Sequence, residues 1–165
     1  MNTLINEIEE ELKHTKLPTK KPLSTGENSR SHIAYKNTLE KGIQAVVLGK
    51  VRDYTQSSLV EGRFNKKYSK LFGMLKKLIK LQDPKFKWNA IQINDNVNTK
   101  EHIDKNNIGL SYNIAFGDYK GGGLLYNGKT IDTHHKFFKY DGTQPHGTTK
   151  PKSGRRIAVI YFTRR

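Results

Sequence analysis

Three residues of this chain have types and spacing suited to chemistry: His102, Asp104 and His146. In extended backbone, residues i and i+2 point to the same side, so His102-Ile103-Asp104 can offer an imidazole and a carboxylate to one ion. His146 stands in QPHGTTKPKSG, shortly before a closing apolar run that Arg155 and Arg156 open. A sheet folded on itself can bring His146 across to the pair, completing a two-histidine, one-carboxylate face that leaves coordination positions open on Fe(II). An arginine on the closing strand then supplies a two-donor fork for a dicarboxylate held at the metal. Alternation puts Arg156, Ala158 and Ile160 on one face and Ile157, Val159 and Tyr161 on the other. A charge leading an inward face requires a partner, either an internal Asp or Glu or a bound carboxylate.

The elements that must position these groups are legible as two textures. Residues 1–14 read as a short amphipathic helix with Leu4, Ile5, Ile8 and Leu12 on one face. Residues 15–31, with Pro18, Pro22 and Gly26, read as a linker or mobile arm, and KGIQAVVLGKV (41–51) has a strand-like centre. Tyr68, Leu71, Phe72, Leu75, Leu78 and Ile79 recur at helical spacing over 66–82, which ends at Asp83-Pro84. Beyond Pro84 the β-rich runs 86–94, 108–117, 122–128, 136–140 and 155–162 alternate with turn residues, which predicts a sandwich or barrel rather than a parallel sheet. The expected fold class is mainly β with flanking helices (α+β). Residues 1–40 are expected to form an N-terminal helix and mobile basic arm, and residues 41–165 a single domain.

Composition narrows the partners. The 165 residues carry a formal charge of +15, with 30 Lys and Arg against 15 Asp and Glu, which favours a polyanion and nucleic acid first. From Lys50 to Lys87 eleven basic residues stand against Asp53, Glu61 and Asp83, and Arg63, Lys66, Lys67 and Lys70 are the candidate phosphate contacts. The chain has no cysteine, which excludes disulfides, thiolate zinc sites, iron–sulfur clusters and cysteine nucleophiles. No apolar run reaches membrane-span length and the acidic start does not resemble a secretory signal, so an intracellular protein (cytoplasmic or nuclear) without membrane contact, and a monomer, are expected. Adjacent strand residues point to opposite sides, so His134 and His135 are expected at the surface or substrate side, not as a ligand pair. His14 and His32 fall in the polar N-terminal region with no partner to name.

His102-x-Asp104, His146 and Arg156, in that order, resemble the Fe(II)/2-oxoglutarate-dependent oxygenases of the double-stranded β-helix (jelly-roll) fold, over roughly residues 86–165. Gly117-Asp118-Tyr119-Lys120-Gly121-Gly122-Gly123-Leu124 looks like the D-[FY]-x-G-G-x-L turn of the prolyl-hydroxylase-like members. The resemblance implies that His102, Asp104 and His146 bind Fe(II), and that Arg156, with Arg155 as rival, holds the distal carboxylate of 2-oxoglutarate. It implies a second 2-oxoglutarate contact at Gln92 or Asn94, and O2 as oxidant. His102-x-Asp104-x-x-Asn107 is similar to the TET/JBP group, which hydroxylates the methyl group of 5-methylcytosine or thymine in DNA. Asn107 is then the reader of a flipped base, since an amide both donates to and accepts from a pyrimidine edge. The short spacing from His146 to Arg156 and the lack of a cysteine-rich domain look more like compact phage, viral and algal relatives than the animal enzymes. A prolyl- or lysyl-hydroxylase-like protein oxygenase, an AlkB-like nucleic-acid demethylase and a non-catalytic basic nucleic-acid-binding module are the competing readings.

Overall fold

The chain's structure is a computed structural model that describes residues 1–20, 43–53 and 55–165. Most of the predicted arm, with His32, lies outside the described residues. Two helices occur among the described residues. Helix α1 (Asn2–Lys13) buries Ile5, Ile8 and Leu12, the i, i+3, i+7 stripe that its sequence presents. Helix α2 (Ser69–Gln82) buries Leu71, Leu75, Leu78 and Ile79. It stops at Asp83 because Pro84 bars the preceding residue from helical backbone, and Asp83 is extended at φ −153°.

The large sheet contains β1 (Thr19–Lys20), β2 (Ile43–Asp53), β4 (Ala90–Asp95), β5 (Asn107–Phe116), β9 (Phe138–Tyr140) and β12 (Ile157–Arg164) in the order β1-β2-β4-β12-β5-β9, with β3 (Ser58–Glu61) paired to β2. The small sheet is β10-β7-β8, made of β10 (His146–Thr149), β7 (Gly123–Tyr126) and β8 (Lys129–Ile131), and β6 (Tyr119–Lys120) pairs with β11 (Ser153–Gly154). All these pairings are antiparallel. This is a jelly-roll core with helices laid on one sheet. Strand β2, from the strand-like run KGIQAVVLGKV, is an integral strand beside β4.

Strand alternation decides where the apolar core sits. Ile91 and Ile93 of β4, Ile157, Val159 and Tyr161 of β12, and Tyr112, Ile114 and Phe116 of β5 join one cluster with Ile5, Ile8, Leu12, Leu71, Leu75 and Leu78. Burying each such aliphatic side chain contributes about 1.5–3 kcal/mol, so the layer between helices and sheet is the main stabilising contact. Tyr161, fully buried, donates from its hydroxyl to the Leu75 carbonyl at 2.7 Å and ties β12 to α2. The opposite face of the same strands carries Gln92, Asn94, Asn113, Ala158 and Ile160, which line a cavity between the two sheets. No helix among the described residues is long and apolar enough to cross a membrane.

Candidate metal centre and cavity

His102 and His146 form an isolated antiparallel bridge, each backbone N–H donating to the other's carbonyl at 2.8 and 2.9 Å. That pairing sets the two rings side by side, with centroids 4.4 Å apart. Each ring is oriented from behind in the same way: His102 Nδ1 donates to the Lys100 carbonyl at 2.7 Å, and His146 Nδ1 donates to the Gln144 carbonyl at 2.9 Å. A proton on each Nδ1 leaves each Nε2 with its lone pair facing outward, the tautomer a metal ligand requires. Asp104 lies between them, with Oδ2 3.1 Å from His146 Nε2 and Oδ1 3.7 Å from His102 Nε2. The second distance is too long for a hydrogen bond although the nitrogen is buried. Cis donors on one ion at about 2.1 Å stand about 3 Å apart, and the three ligand atoms here lie within 4.8 Å of one another. The residues therefore fit a divalent transition metal.

The loop that carries Asp104 is held at its backbone. Asp104 N–H donates to the Gly142 carbonyl at 2.8 Å, and Asn107 N–H donates to the Asp104 carbonyl at 3.0 Å. Gly142 packs closely on this loop: a Cβ there would stand 3.0 Å from the Asn107 side-chain nitrogen, which would have to give way, and 3.7 Å from Asp104 Oδ2. Asp141 fixes the turn into β10, accepting at Oδ1 from the Thr143 N–H at 2.9 Å and its hydroxyl at 2.6 Å. These bonds also hold the Asp141 carboxyl below the usual range.

The cavity, 290 Å³, contains the triad in its wall. Gln92, Asn94 and Asn107 line it as well, and Gln92 Nε2 donates to Asn94 Oδ1 at 2.9 Å. Asn113 Oδ1, also in the wall, is buried without a hydrogen bond among the described residues, which suits a polar ligand. Among the lining residues that sequence reasoning missed are Tyr140, Phe162 and Arg164. For two of them the signal was present, since the alternation that places Arg156 and Ala158 on one face continues to Phe162 and Arg164.

The two arginines before β12 separate cleanly. Arg155 donates to both oxygens of buried Asp95, at 3.0, 3.1 and 2.7 Å, and to the Leu12 and Thr15 carbonyls at 3.4 Å. Its hydrogen bonds to Asp95 raise its pKa, and its guanidinium is committed to that structural pairing. Arg156 is buried, its Nη2 donates to Thr133 Oγ1 at 3.1 Å, and its Nε makes no hydrogen bond. Among the described residues no carboxylate lies within ion-pair distance of it. Burial alone pushes its pKa down. A bound carboxylate fits this place, although Arg156 itself stands beyond the cavity wall, against Thr133 and the Tyr119 ring.

Arg63, Lys66, Lys67 and Lys70 are exposed, but they lead into α2 or begin it, on the helix layer, and none lines the cavity. Lys70 pairs with Glu11 at 3.2 Å, and Arg63 stacks over Phe64 at 4.7 Å. The expectation for His134 and His135 is corrected. His135 has φ 57°, outside strand geometry, so the neighbouring rings do not diverge but stack with centroids 4.0 Å apart.

No protein-family model and no curated protein sequence matches the chain. Solved structures do. NgTET1 in complex with 5mC DNA is similar at TM-score 0.62 and 15% identity, over 100% of this chain and 69% of that one. A prolyl hydroxylase from Trichoplax adhaerens, in complex with a hypoxia inducible factor peptide fragment, is similar at 0.52 and 14%, over 98% and 77%. A Pseudomonas putida prolyl-4-hydroxylase is similar at 0.51 and 12%, over 99% and 87%. The chain has the fold that these oxygenases share.

Proposed function

We propose that this protein is an Fe(II)/2-oxoglutarate-dependent dioxygenase that hydroxylates the methyl group of a 5-methylpyrimidine in DNA, 5-methylcytosine to 5-hydroxymethylcytosine first. The observation that carries the reading is the His102–Asp104–His146 set, with both Nε2 lone pairs aimed at one point in the wall of a polar cavity. With iron, 2-oxoglutarate and O2 bound, such a centre supplies an oxidant for an unactivated C–H bond, releasing succinate and CO2. The chain's own residues do the rest. His102, Asp104 and His146 hold the metal; Arg156 offers a buried cation to the distal carboxylate; Gln92, Asn94 and Asn113 give the cavity its polar wall. No acid–base pair is required.

For the substrate, Asn107 and Phe162 in the same wall supply an amide for a pyrimidine edge and an aromatic face for the ring. The charge of +15 suits a phosphate backbone. The similarity to NgTET1 in complex with 5mC DNA supports this choice. A peptide substrate is the second reading, favoured by the Gly117–Leu124 turn and by the prolyl hydroxylase fold neighbours.

The test is mass spectrometry of nucleosides from 5-methylcytosine DNA incubated with protein, Fe(II), 2-oxoglutarate and ascorbate, with His102→Ala as blank. A 5-hydroxymethylcytosine peak absent from the variant is expected. Succinate above the blank without any altered nucleoside would move the substrate to peptide. Neither product in iron-loaded protein would overturn the reading.

A further inference from the structure

A second donor cluster lies outside the cavity. Glu9 of α1 meets His134 and His135, from the segment between β8 and β9, and their ligand atoms all lie within 4.8 Å of one another. Glu9 Oε1 is 2.8 Å from His135 Nε2 and 4.0 Å from His134 Nε2. We propose that Glu9, His134 and His135 form a zinc-class metal site that fastens the N-terminal helix to the jelly roll.

Three features of the backbone build this site. The positive φ of His135, a region that residues other than glycine rarely enter, turns two adjacent imidazoles onto one side. That conformation is held by β5, since Ala115 N–H donates to the Thr133 carbonyl and His135 N–H to the Ala115 carbonyl, at 2.8 and 2.9 Å. Glu9 is aimed in turn by the Gly117 N–H, which lies 2.9 Å from both carboxylate oxygens, as the hydrogen-bond donors behind metal-binding carboxylates do. Gly117 has φ 105° and a Cβ there would stand 2.1 Å from the Arg155 carbonyl, so the donor comes from a position that only glycine can fill.

The donor chemistry selects the ion. Two imidazoles and one carboxylate suit zinc and its neighbours, whereas calcium and magnesium require more oxygen. The side chains are 18–40% exposed, which leaves a solvent-facing position for a fourth, water ligand. Coordination replaces two hydrogen bonds, His135 Nε2 to Glu9 and His134 Nε2 to the Gly117 carbonyl at 3.0 Å, and each ring then carries its proton on Nδ1. Residue 9 and residues 134–135 are far apart in the chain, so a metal here closes a long loop and stabilises through the unfolded state.

The experiment is zinc titration by calorimetry, with thermal unfolding, in a chain carrying His102→Ala and Asp104→Ala so that the cavity triad contributes no ligand set. One zinc per chain and a zinc-dependent rise in Tm are expected there, against two zinc ions in the unaltered chain. Adding Glu9→Gln keeps a hydrogen-bonding side chain but removes the anionic ligand, and is expected to weaken binding at least hundredfold and abolish the Tm rise. Adding His135→Ala is expected to do the same. Absence of zinc from the triad-deleted chain, or undiminished binding after Glu9→Gln, overturns the proposal and leaves a hydrogen-bonded contact only. Loss of the triad's own zinc in the unaltered chain would count against the proposed function alone.

Discussion

Arg155 and Arg156 are neighbours in sequence, yet the structure predicts opposite consequences for their loss. Removing Arg155 strands the Asp95 carboxylate, which is 5% exposed at its side chain, without the guanidinium that gives it three short contacts. Breaking a buried pair costs about 3–5 kcal/mol. The Arg155 side chain is 37% exposed, so water screens part of the attraction and about 2–3 kcal/mol is the better figure. For a chain of this size that lowers Tm by about 5–10 °C. Among the described residues Arg156 has no carboxylate to strand, so Arg156→Met, which keeps the volume and deletes a buried cation, is expected to be neutral or stabilising by about 1–2 kcal/mol. Under the proposed function it loses its charge-assisted bonds to the distal carboxylate, at about 1.5–3 kcal/mol each. The KM for 2-oxoglutarate should rise at least about a hundredfold. Urea unfolding at constant m-value reads the first effect and succinate formation against 2-oxoglutarate concentration reads the second. Equal destabilisation by both variants, with an unchanged KM in Arg156→Met, would refute the assignment.

Gly73 stands in the middle of α2 with nothing within 4 Å of where a Cβ would be, so Gly73→Ala should stabilise by about 0.5–1 kcal/mol, read by urea unfolding. Asp83 is held below its ordinary pKa of 3.8 first by the Tyr112 hydroxyl at 3.0 Å and also by Lys139. A depressed carboxyl stabilises the fold above its unfolded pKa and loses that contribution as pH falls through the folded value. Stability should therefore decline below about pH 4, and less steeply in Tyr112→Phe, as acid unfolding curves would report. Replacing Arg63, Lys66 and Lys67 together by Gln should weaken DNA binding equally across sequences and flatten the salt slope by about 2–3. An unchanged slope would mean that the helix layer faces away from the bound strand.

What the sequence disclosed follows from geometry that repeats. The i, i+2 spacing of His102 and Asp104, and the alternation through Ala158 and Ile160, are properties of extended backbone; His102 and Asp104 meet in the cavity wall and Ala158 and Ile160 face it, whereas Arg156 stands beyond it. The helical stripes of α1 and α2 are visible for the same reason. Short elements are a different matter. Strand β8 is three residues after the Asn127-Gly128 turn, and β10 is four residues of His-Gly-Thr-Thr, too brief and polar for a periodic signal. Which sheet face holds the core was also hidden, because Ile93 and Asn94 become helix-facing and cavity-facing only when α1 and α2 are placed. The pairing of His134 with His135 was hidden by one backbone angle that a strand rule cannot anticipate. The choice between Arg155 and Arg156 required Asp95, sixty positions away.

The central claim is that His102, Asp104 and His146 hold iron for oxidation driven by 2-oxoglutarate. It is tested most directly by incubating the Fe(II)-loaded protein with 2-oxoglutarate under ¹⁸O2 and weighing the succinate, a readout that does not depend on the substrate's identity. One ¹⁸O in succinate, formed by the parent chain and lost in Asp104→Ala, is the predicted result. Unlabelled succinate, or the same labelled yield from the variant, would contradict the account.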